Sequence, residues 1–158
     1  MRILVLSDSH GAVEACRLAV EQSTPDQILH LGDCVRDAER LHALFPAIPL
    51  TGVPGNCDWA DADNPERLIE LGGVRILMMH GHTHEVSPYS YDKAAYRAEE
   101  LHCSVLLFGH THISIVNNDG RVLAVNPGSP SCPRGGRSPS FALLEIENGD
   151  VRAEIITM

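Results

Sequence analysis

The sequence predicts an α/β fold, and two observations carry that prediction. The first third of the chain alternates short apolar strands with amphipathic helices, and the remainder breaks into apolar strands joined by glycine-bearing turns. A strand–helix–strand–helix–strand opening indicates a parallel core with right-handed crossovers. At 158 residues the chain fits the length of one domain, roughly 100–200 residues. Residues 1–158 are therefore read as a single domain, without a linker or a domain-sized repeat. A chain of this size buries about 70% of its unfolded surface, so it needs no disulfide or structural metal merely to fold.

Each element follows from its local pattern. Arg2–Ser7 is an Ile, Leu and Val run ending at Ser7-Asp8-Ser9-His10-Gly11, a strand buried on both faces. Ala12, Ala15, Cys16, Ala19 and Val20 then share one stripe at helical spacing, stopped by Thr24-Pro25-Asp26. Gln27–Leu31 is a second strand ending in Gly32-Asp33. Val35, Ala38, Leu41 and Phe45 form the inner stripe of a second helix, which Pro46 closes. Ile48–Val53 is a third strand and ends at Pro54-Gly55-Asn56, and the acidic stretch Trp59–Pro65 is a loop. Arg67–Leu71 and Val74–Met79 flank Gly72-Gly73, a two-residue hairpin. Asp92–Leu101 is Ala- and Glu-rich and helical, and Ser104–Phe108 is a strand ending at Gly109-His110. Two more hairpins pair Ile113–Val116 with Arg121–Val125 around Asn117-Asn118-Asp119-Gly120, and Phe141–Ile146 with Val151–Ile156 around Asn148-Gly149-Asp150. Between them, Asn126–Pro139 is too long to be only a connector.

Composition narrows the function. Twelve Lys and Arg against 21 Asp and Glu leave a net charge of −9, which repels a phosphate backbone and makes nucleic acid a poor partner. No apolar run approaches the roughly 20 residues of a membrane span. The N-terminal apolar stretch breaks at Ser7-Asp8, too early for a signal peptide. Five cysteines, none in a C-x-x-C pair, make a poor disulfide framework and a poor thiolate zinc site, so the expected setting is reduced and cytoplasmic. Nine histidines are the informative surplus, because imidazole with carboxylate is the donor set of a metal site.

The order of those residues sharpens the point. Asp8 and His10 follow the first strand, Asp33 the second and Asn56 the third. His80 ends the second arm of the first hairpin, and His110 and His112 follow the strand at Ser104–Phe108. Sites in open α/β sheets form at the carboxyl ends of strands, so these residues can converge. Asp8 with His10, and His110 with His112, are two apart; in extended backbone such neighbours point the same way. Gly11, Gly32, Gly55 and Gly109 beside them leave room for close approach. Seven oxygen and nitrogen donors without a thiolate exceed what one tetrahedral structural zinc needs. They suit two ions sharing a carboxylate, the arrangement that clamps both oxygens of an in-line phosphoryl displacement. Polar caps on strand ends are common singly, but clustered buried charges without a cation would be strongly destabilising.

Asp8-x-His10, Gly32-Asp33, Gly55-Asn56, His80 and Gly109-His110-x-His112 resemble the five ordered motifs of the calcineurin-like metallophosphoesterases. Gly55-Asn56-Cys57-Asp58, His80-Gly81-His82 and Asn126-Pro127-Gly128-Ser129 are similar to the bacterial and archaeal YfcE-type phosphodiesterases in particular. The resemblance runs from residue 2 to about residue 136. It implies a metallophosphoesterase-type four-layer α/β/β/α sandwich of two mixed sheets. It places Asp8, His10 and His112 on a first ion and Asn56, His80 and His110 on a second, with Asp33 bridging. It further implies a metal-dependent phosphodiesterase or phosphoesterase acting on a small phosphate ester by attack of a metal-bridging hydroxide. Asp33, Asn56, His80, His82 and Asp58 would be the catalytic set. Manganese is the favoured ion, with iron, nickel, cobalt or zinc as other fits to mixed His, Asp and Asn donors. Related proteins often self-associate, so a homo-oligomer is a further expectation.

Some residues keep two readings. Cys57 stands where many members of the wider superfamily carry a His, and a thiol of ordinary pKa about 8.5 is the poorer proton donor near neutrality. Asp58 either orients a neighbouring group or is a solvated turn carboxylate, and His82 is either a phosphate contact or a loop histidine. Gly81-His82-Thr83-His84 duplicates Gly109-His110-Thr111-His112. The second copy is taken as the ligand motif because it ends a strand, which leaves His84 as an exposed loop residue or a substrate contact. His30 is read as a core histidine, and His42 and His102 as helix residues. Arg134 either steers anionic substrate or is an ordinary surface arginine. The alternative functions are a phosphomonoesterase or nucleotide phosphatase, a structural metal site, and a non-catalytic protein-binding scaffold like the retromer subunit of this superfamily. Retention of every ligating side chain argues against the scaffold.

Overall fold

A computed structural model describes residues 1–58, 65–118 and 120–158. Most of the expected Trp59–Pro65 loop and Asp119 of the second hairpin turn lie outside the described residues. The element order is β1 (Arg2–Leu6), α1 (Val13–Ser23), β2 (Gln27–His30), α2 (Val35–Leu44), β3 (Leu50–Gly52), β4 (Glu66–Leu71) and β5 (Val74–Met79). A 3₁₀ turn at His82–His84 precedes α3 (Asp92–Glu100), β6 (Val105–Leu107), β7 (Ile115–Asn118), β8 (Leu123–Asn126), β9 (Ser140–Glu147) and β10 (Asp150–Thr157).

The strands form two mixed five-stranded sheets, ordered β10-β9-β1-β2-β3 and β4-β5-β6-β8-β7. In the first, β1, β2 and β3 are parallel, and β9 joins β1 antiparallel with Ile3 opposite Leu144. In the second, β5, β6 and β8 are parallel while β4 and β7 close the edges antiparallel. The period-two alternation of β1 explains the layering. Ile3 and Val5 point between the sheets, where they meet Leu29, Ile76, Met78 and Val105. Leu4 and Leu6 point outward onto Cys16, Ala19 and Val20 of α1 and Leu41 of α2. On the far side, Ala94, Ala95 and Ala98 of α3 cover Leu77, Leu106 and Phe108. The result is the four-layer α/β/β/α sandwich that the resemblance implied. A Leu or Ile buried as fully as these contributes about 1.5–3 kcal/mol.

The first hairpin forms as expected, with both glycines of its turn left-handed (φ 57° at Gly72 and 80° at Gly73), as a primed two-residue turn requires. Val35 and Phe45 are only half-buried, whereas Ala38 and Leu41 are fully buried. His102 lies just past α3 in a left-handed turn (φ 54°) rather than within the helix. Among the described residues no helix is long and apolar enough to cross a membrane. The loops after β1, β2, β3, β5 and β6 meet at one edge of the sandwich. There the Asp8 amide donates to the Gly32 carbonyl at 3.0 Å, and the Gly109 amide to the His80 carbonyl at 3.0 Å.

Candidate metal centre

At this edge one donor atom from each of Asp8, His10, Asp33 and His112 lies within 4.8 Å of the others. His112 Nε2 is 3.2 Å from Asp8 Oδ1 and 3.3 Å from His10 Nε2, and His10 Nε2 is 3.6 Å from Asp33 Oδ2. The other oxygen, Asp33 Oδ1, lies 3.4 Å from His80 Nε2. Asn56 Oδ1 sits 3.1 Å from that same nitrogen and 2.9 Å from His110 Nδ1. The structure thus gathers all seven sequence-predicted ligands, with Asp33 reaching both halves of the cluster. Asp8, Asp33, His80 and His112 are buried, while His10, Asn56 and His110 form the side open to solvent.

The hydrogen bonds around the cluster show what it can hold. His80 Nδ1 lies 2.8 Å from the Leu31 carbonyl and His112 Nδ1 2.6 Å from the Cys132 carbonyl. A carbonyl can only accept, so both rings carry their proton on Nδ1 and turn Nε2 toward the cluster. In the neutral rings Nε2 is a lone pair facing carboxylate and amide oxygens, which are lone pairs too. Asp8 Oδ1 is buried and receives no hydrogen bond among the described residues. Acceptors aimed at acceptors in a buried site are costly unless a proton or a cation stands between them, and the donor set fits a borderline divalent cation. Carbonyls that fix a ligand tautomer are also the usual outer support of a metal-binding histidine.

The electrostatics agree. Burial pulls the Asp8 pKa upward, but the neighbouring His112, the charge of His80 and the Ser7 hydroxyl outweigh it and leave the carboxyl below its ordinary range. Contact with Asp8 raises His112 despite burial. Burial lowers His110 and His82, and the charge of His80 adds to both shifts.

The local backbone is unusual. Asp8 (φ 56°), His10 (45°), Asp33 (57°), His110 (68°) and His112 (59°) all adopt the left-handed region. The Asp8–His10 and His110–His112 pairs therefore converge through tight left-handed turns, not through the extended geometry their spacing suggested. Such strain persists where the surroundings over-determine it. The Ser7 hydroxyl and the His110 amide both donate to Asp8 Oδ2, at 2.6 and 3.0 Å. A Cβ at Gly109 would lie 1.9 Å from Ser7 Oγ, and one at Gly55 would lie 2.1 Å from Asp33 Oδ1. Gly11 faces open space, so its requirement is its φ of 91° rather than close approach.

The other candidates sort by their contacts. Asp58 accepts four backbone N–H bonds of 2.8–3.0 Å, from Asp33, Cys34, Val35 and Gly55. It caps the start of α2 from a different loop and pins Asp33 to the Gly55 turn. His82 is half-buried beside the cluster, its ring centroid 5.5 Å from that of His80, and its Nδ1 has no hydrogen-bond partner among the described residues. His84 is not an exposed loop residue: it is half-buried, and its Nε2 lies 3.1 Å from Glu66 Oε2. Cys57 is exposed; desolvation, with Asp33 and then Asp58 beside it, pushes its thiol up to about 11. His30 is the core histidine expected, buried against Ser9.

Sequence reasoning missed Asp37. It is buried in α2, and its Oδ2 accepts the Ser9 hydroxyl and the Gly11 amide, both at 2.7 Å. A signal was present, because Asp37 lies one helical turn before Leu41 on the buried stripe. Asn126 was read as part of a family-like motif in a loop near the site, without a role of its own; its side-chain amide donates to the Gly109 carbonyl at 2.8 Å and so props the loop that carries His110.

Comparison with known proteins shows the family and the fold. The family model of the calcineurin-like phosphoesterase superfamily domain matches residues 1–149. The chain belongs to that superfamily. It is similar to the probable metallophosphoesterase YsnB of Bacillus subtilis, 37% identical over 151 residues that cover 94% of this chain and 86% of YsnB. Phosphodiesterase YfcE of Escherichia coli is 27% identical over 176 residues, covering 92% of this chain and 88% of YfcE. The solved structure of YfcE superposes with a TM-score of 0.70 over 92% of this chain and 88% of that one, at 25% identity. The zinc complex of Vps29 from Entamoeba histolytica shares the fold, with a TM-score of 0.74 over 99% of this chain and 98% of that one, at 24% identity.

Proposed function

We propose that the protein is a phosphodiesterase of the YfcE type, hydrolysing small phosphate esters with two divalent cations. Asp8, His10 and His112 would hold one cation, Asn56, His80 and His110 the other, and Asp33 both. The observation that carries this reading is the position of Asp33, whose two oxygens face His10 and His80 separately. When bound, the cations would supply Lewis acidity, polarising phosphoryl oxygens and acidifying water toward hydroxide near neutral pH. The chain itself would orient that chemistry. Leu31 and Cys132 fix the ring tautomers, Asp58 and Asp37 hold the loops, and His82 stands at hand for a phosphoryl oxygen. Manganese is the ion we favour.

A diester fits the surroundings better than a monoester. One cleft of about 710 Å³ opens beside His10 and Cys57, and another of about 450 Å³ beside His110. Each could house one substituent. The five cysteines stand unpaired, in keeping with the reduced, cytoplasmic setting we propose. The likeness to Vps29 keeps a scaffold as the competing reading, and the complete donor set argues against it. The test is metal-stripped protein assayed on bis(4-nitrophenyl) phosphate with Mn²⁺, Ni²⁺, Zn²⁺ or Mg²⁺ restored singly. Turnover that returns with Mn²⁺ and is absent in Asp33→Ala supports the proposal; a metal-loaded protein without turnover favours the scaffold.

A further inference from the structure

The cleft beside His110 joins two kinds of wall. Val86, Pro88 and Ile113 make part of its lining apolar, and His110 and Thr111 bring it up to the metal-ligand cluster. Arg134 supplies a cation to the same lining.

Arg134 is held close to the cluster by its backbone. Its amide donates to the His112 carbonyl at 3.0 Å, while the Cys132 carbonyl two residues earlier accepts from the His112 ring at 2.6 Å. The segment Cys132–Arg134 is thus fastened to both ends of one candidate ligand. Arg134 lines the same cleft as His110. Yet its own side chain is exposed and makes no ion pair or side-chain hydrogen bond among the described residues. Arg2, Arg17 and Arg97 are each tied to a glutamate. In a chain with a net charge of −9, Arg134 stands in the cleft that His110 lines, its fork of donors without a partner among the described residues.

We propose that this cleft is a substrate subsite: it takes one organic substituent of the ester, and Arg134 binds a second anionic group, phosphate or carboxylate, at the far end of that substituent. The phosphoryl group to be cleaved belongs to the cations, so the guanidinium is left for another charge. Its planar fork matches phosphate or carboxylate in two parallel hydrogen bonds, and the apolar residues suit the carbons in between. The inference rests on the hydrolytic reading above and adds the chemistry of the substrate's other end.

Three 4-nitrophenyl phosphodiesters test it, with 3-hydroxypropyl, 3-carboxypropyl or 3-(phosphonooxy)propyl as the second substituent. Nitrophenolate leaves in every case, so the bond broken is constant. The wild-type protein with Mn²⁺ should prefer the anionic esters over the hydroxypropyl ester by about five- to tenfold in kcat/KM, the worth of one exposed charge-assisted contact. The carboxylate and phosphate arms then tell which anion the subsite takes. In Arg134→Ala the ratio should collapse toward one, and Arg134→Lys should keep part of it. A ratio that survives Arg134→Ala, including an equal fall on all three esters, overturns the proposal. Calorimetric titration of propane-1,3-diol bisphosphate against propyl phosphate gives the same comparison without turnover. If no ester is hydrolysed but the bisphosphate preference depends on Arg134, the hydrolytic reading fails and the subsite stands. Hydrolysis without an Arg134-dependent preference sinks the subsite alone.

Discussion

Asp37 Oδ2 accepts the backbone N–H of Gly11 at 2.7 Å, and so a buried helix carboxylate holds the turn that presents His10. It accepts the Ser9 hydroxyl at the same distance, which fixes His10 from both neighbours while His10 itself sits at a φ of 45°. Asp37→Ala should destabilise the fold by about 1–3 kcal/mol, the cost of leaving buried donors unpaired. It should also weaken binding of the ion held by His10 by roughly tenfold or more, as loss of outer support around a metal does. Denaturant unfolding and metal titration read the two effects separately. Unchanged metal affinity in a folded variant would deny Asp37 the positioning role.

Asp58 serves four amides at once. Its replacement by Ala should cost about 2 kcal/mol, the upper range for a helix cap. Because two of those amides belong to Asp33 and Gly55, metal affinity should fall as well. Urea unfolding of metal-stripped protein isolates the stability loss, and loss of activity with full stability would instead make Asp58 a substrate contact.

The edge strand β4 is tied to α3 by Glu66, whose carboxylate takes hydrogen bonds from Arg97 at 2.7 and 3.0 Å. The Arg97 guanidinium holds the Glu66 pKa below its ordinary value. A carboxyl with a depressed folded pKa adds stability above its unfolded pKa, and that stability is lost as pH falls through the folded value. Glu66→Gln should therefore be less stable than wild type at pH 7, by less than about 1 kcal/mol for a partly exposed pair. The gap should close below pH ~4. A gap that persists at low pH would place the effect in packing, not charge.

With its pKa near 11, Cys57 stays a neutral thiol at pH 7 and is a weak donor to a leaving alkoxide. Cys57→His should raise turnover on phosphomonoesters or alkyl diesters by roughly 100-fold, the low end for an added general acid. Turnover of nitrophenyl esters, whose leaving group needs no proton, should change little. Steady-state assays at matched metal content decide, and equal or lower rates on poor leaving groups would contradict the role given to this position.

Much of this was legible before any coordinates. Buried strands such as β1 announce themselves as unbroken Ile, Leu and Val runs, and Gly72-Gly73 announces its hairpin. The ligands were legible because they cluster at strand ends. What could not be read was how they converge. The spacing of Asp8 with His10 and of His110 with His112 suggested extended backbone, whereas both pairs are left-handed, a conformation stabilised by distant partners such as Asp37 and Asn126. Asp58 kept two readings, orienting group or turn carboxylate, because its four partners lie in two loops, three of them more than 20 residues away. His84 looked exposed because its partner Glu66 is brought to it only by the packing of β4.

The central claim is that seven side chains hold two cations with Asp33 between them. Counting Mn²⁺ bound per chain at equilibrium, by elemental analysis of dialysed protein alongside Asp33→Ala, tests it most directly. The account predicts two ions per wild-type chain and fewer than one tightly held in the variant. A folded wild-type protein that never takes up a second ion, or a variant that retains both, would contradict it.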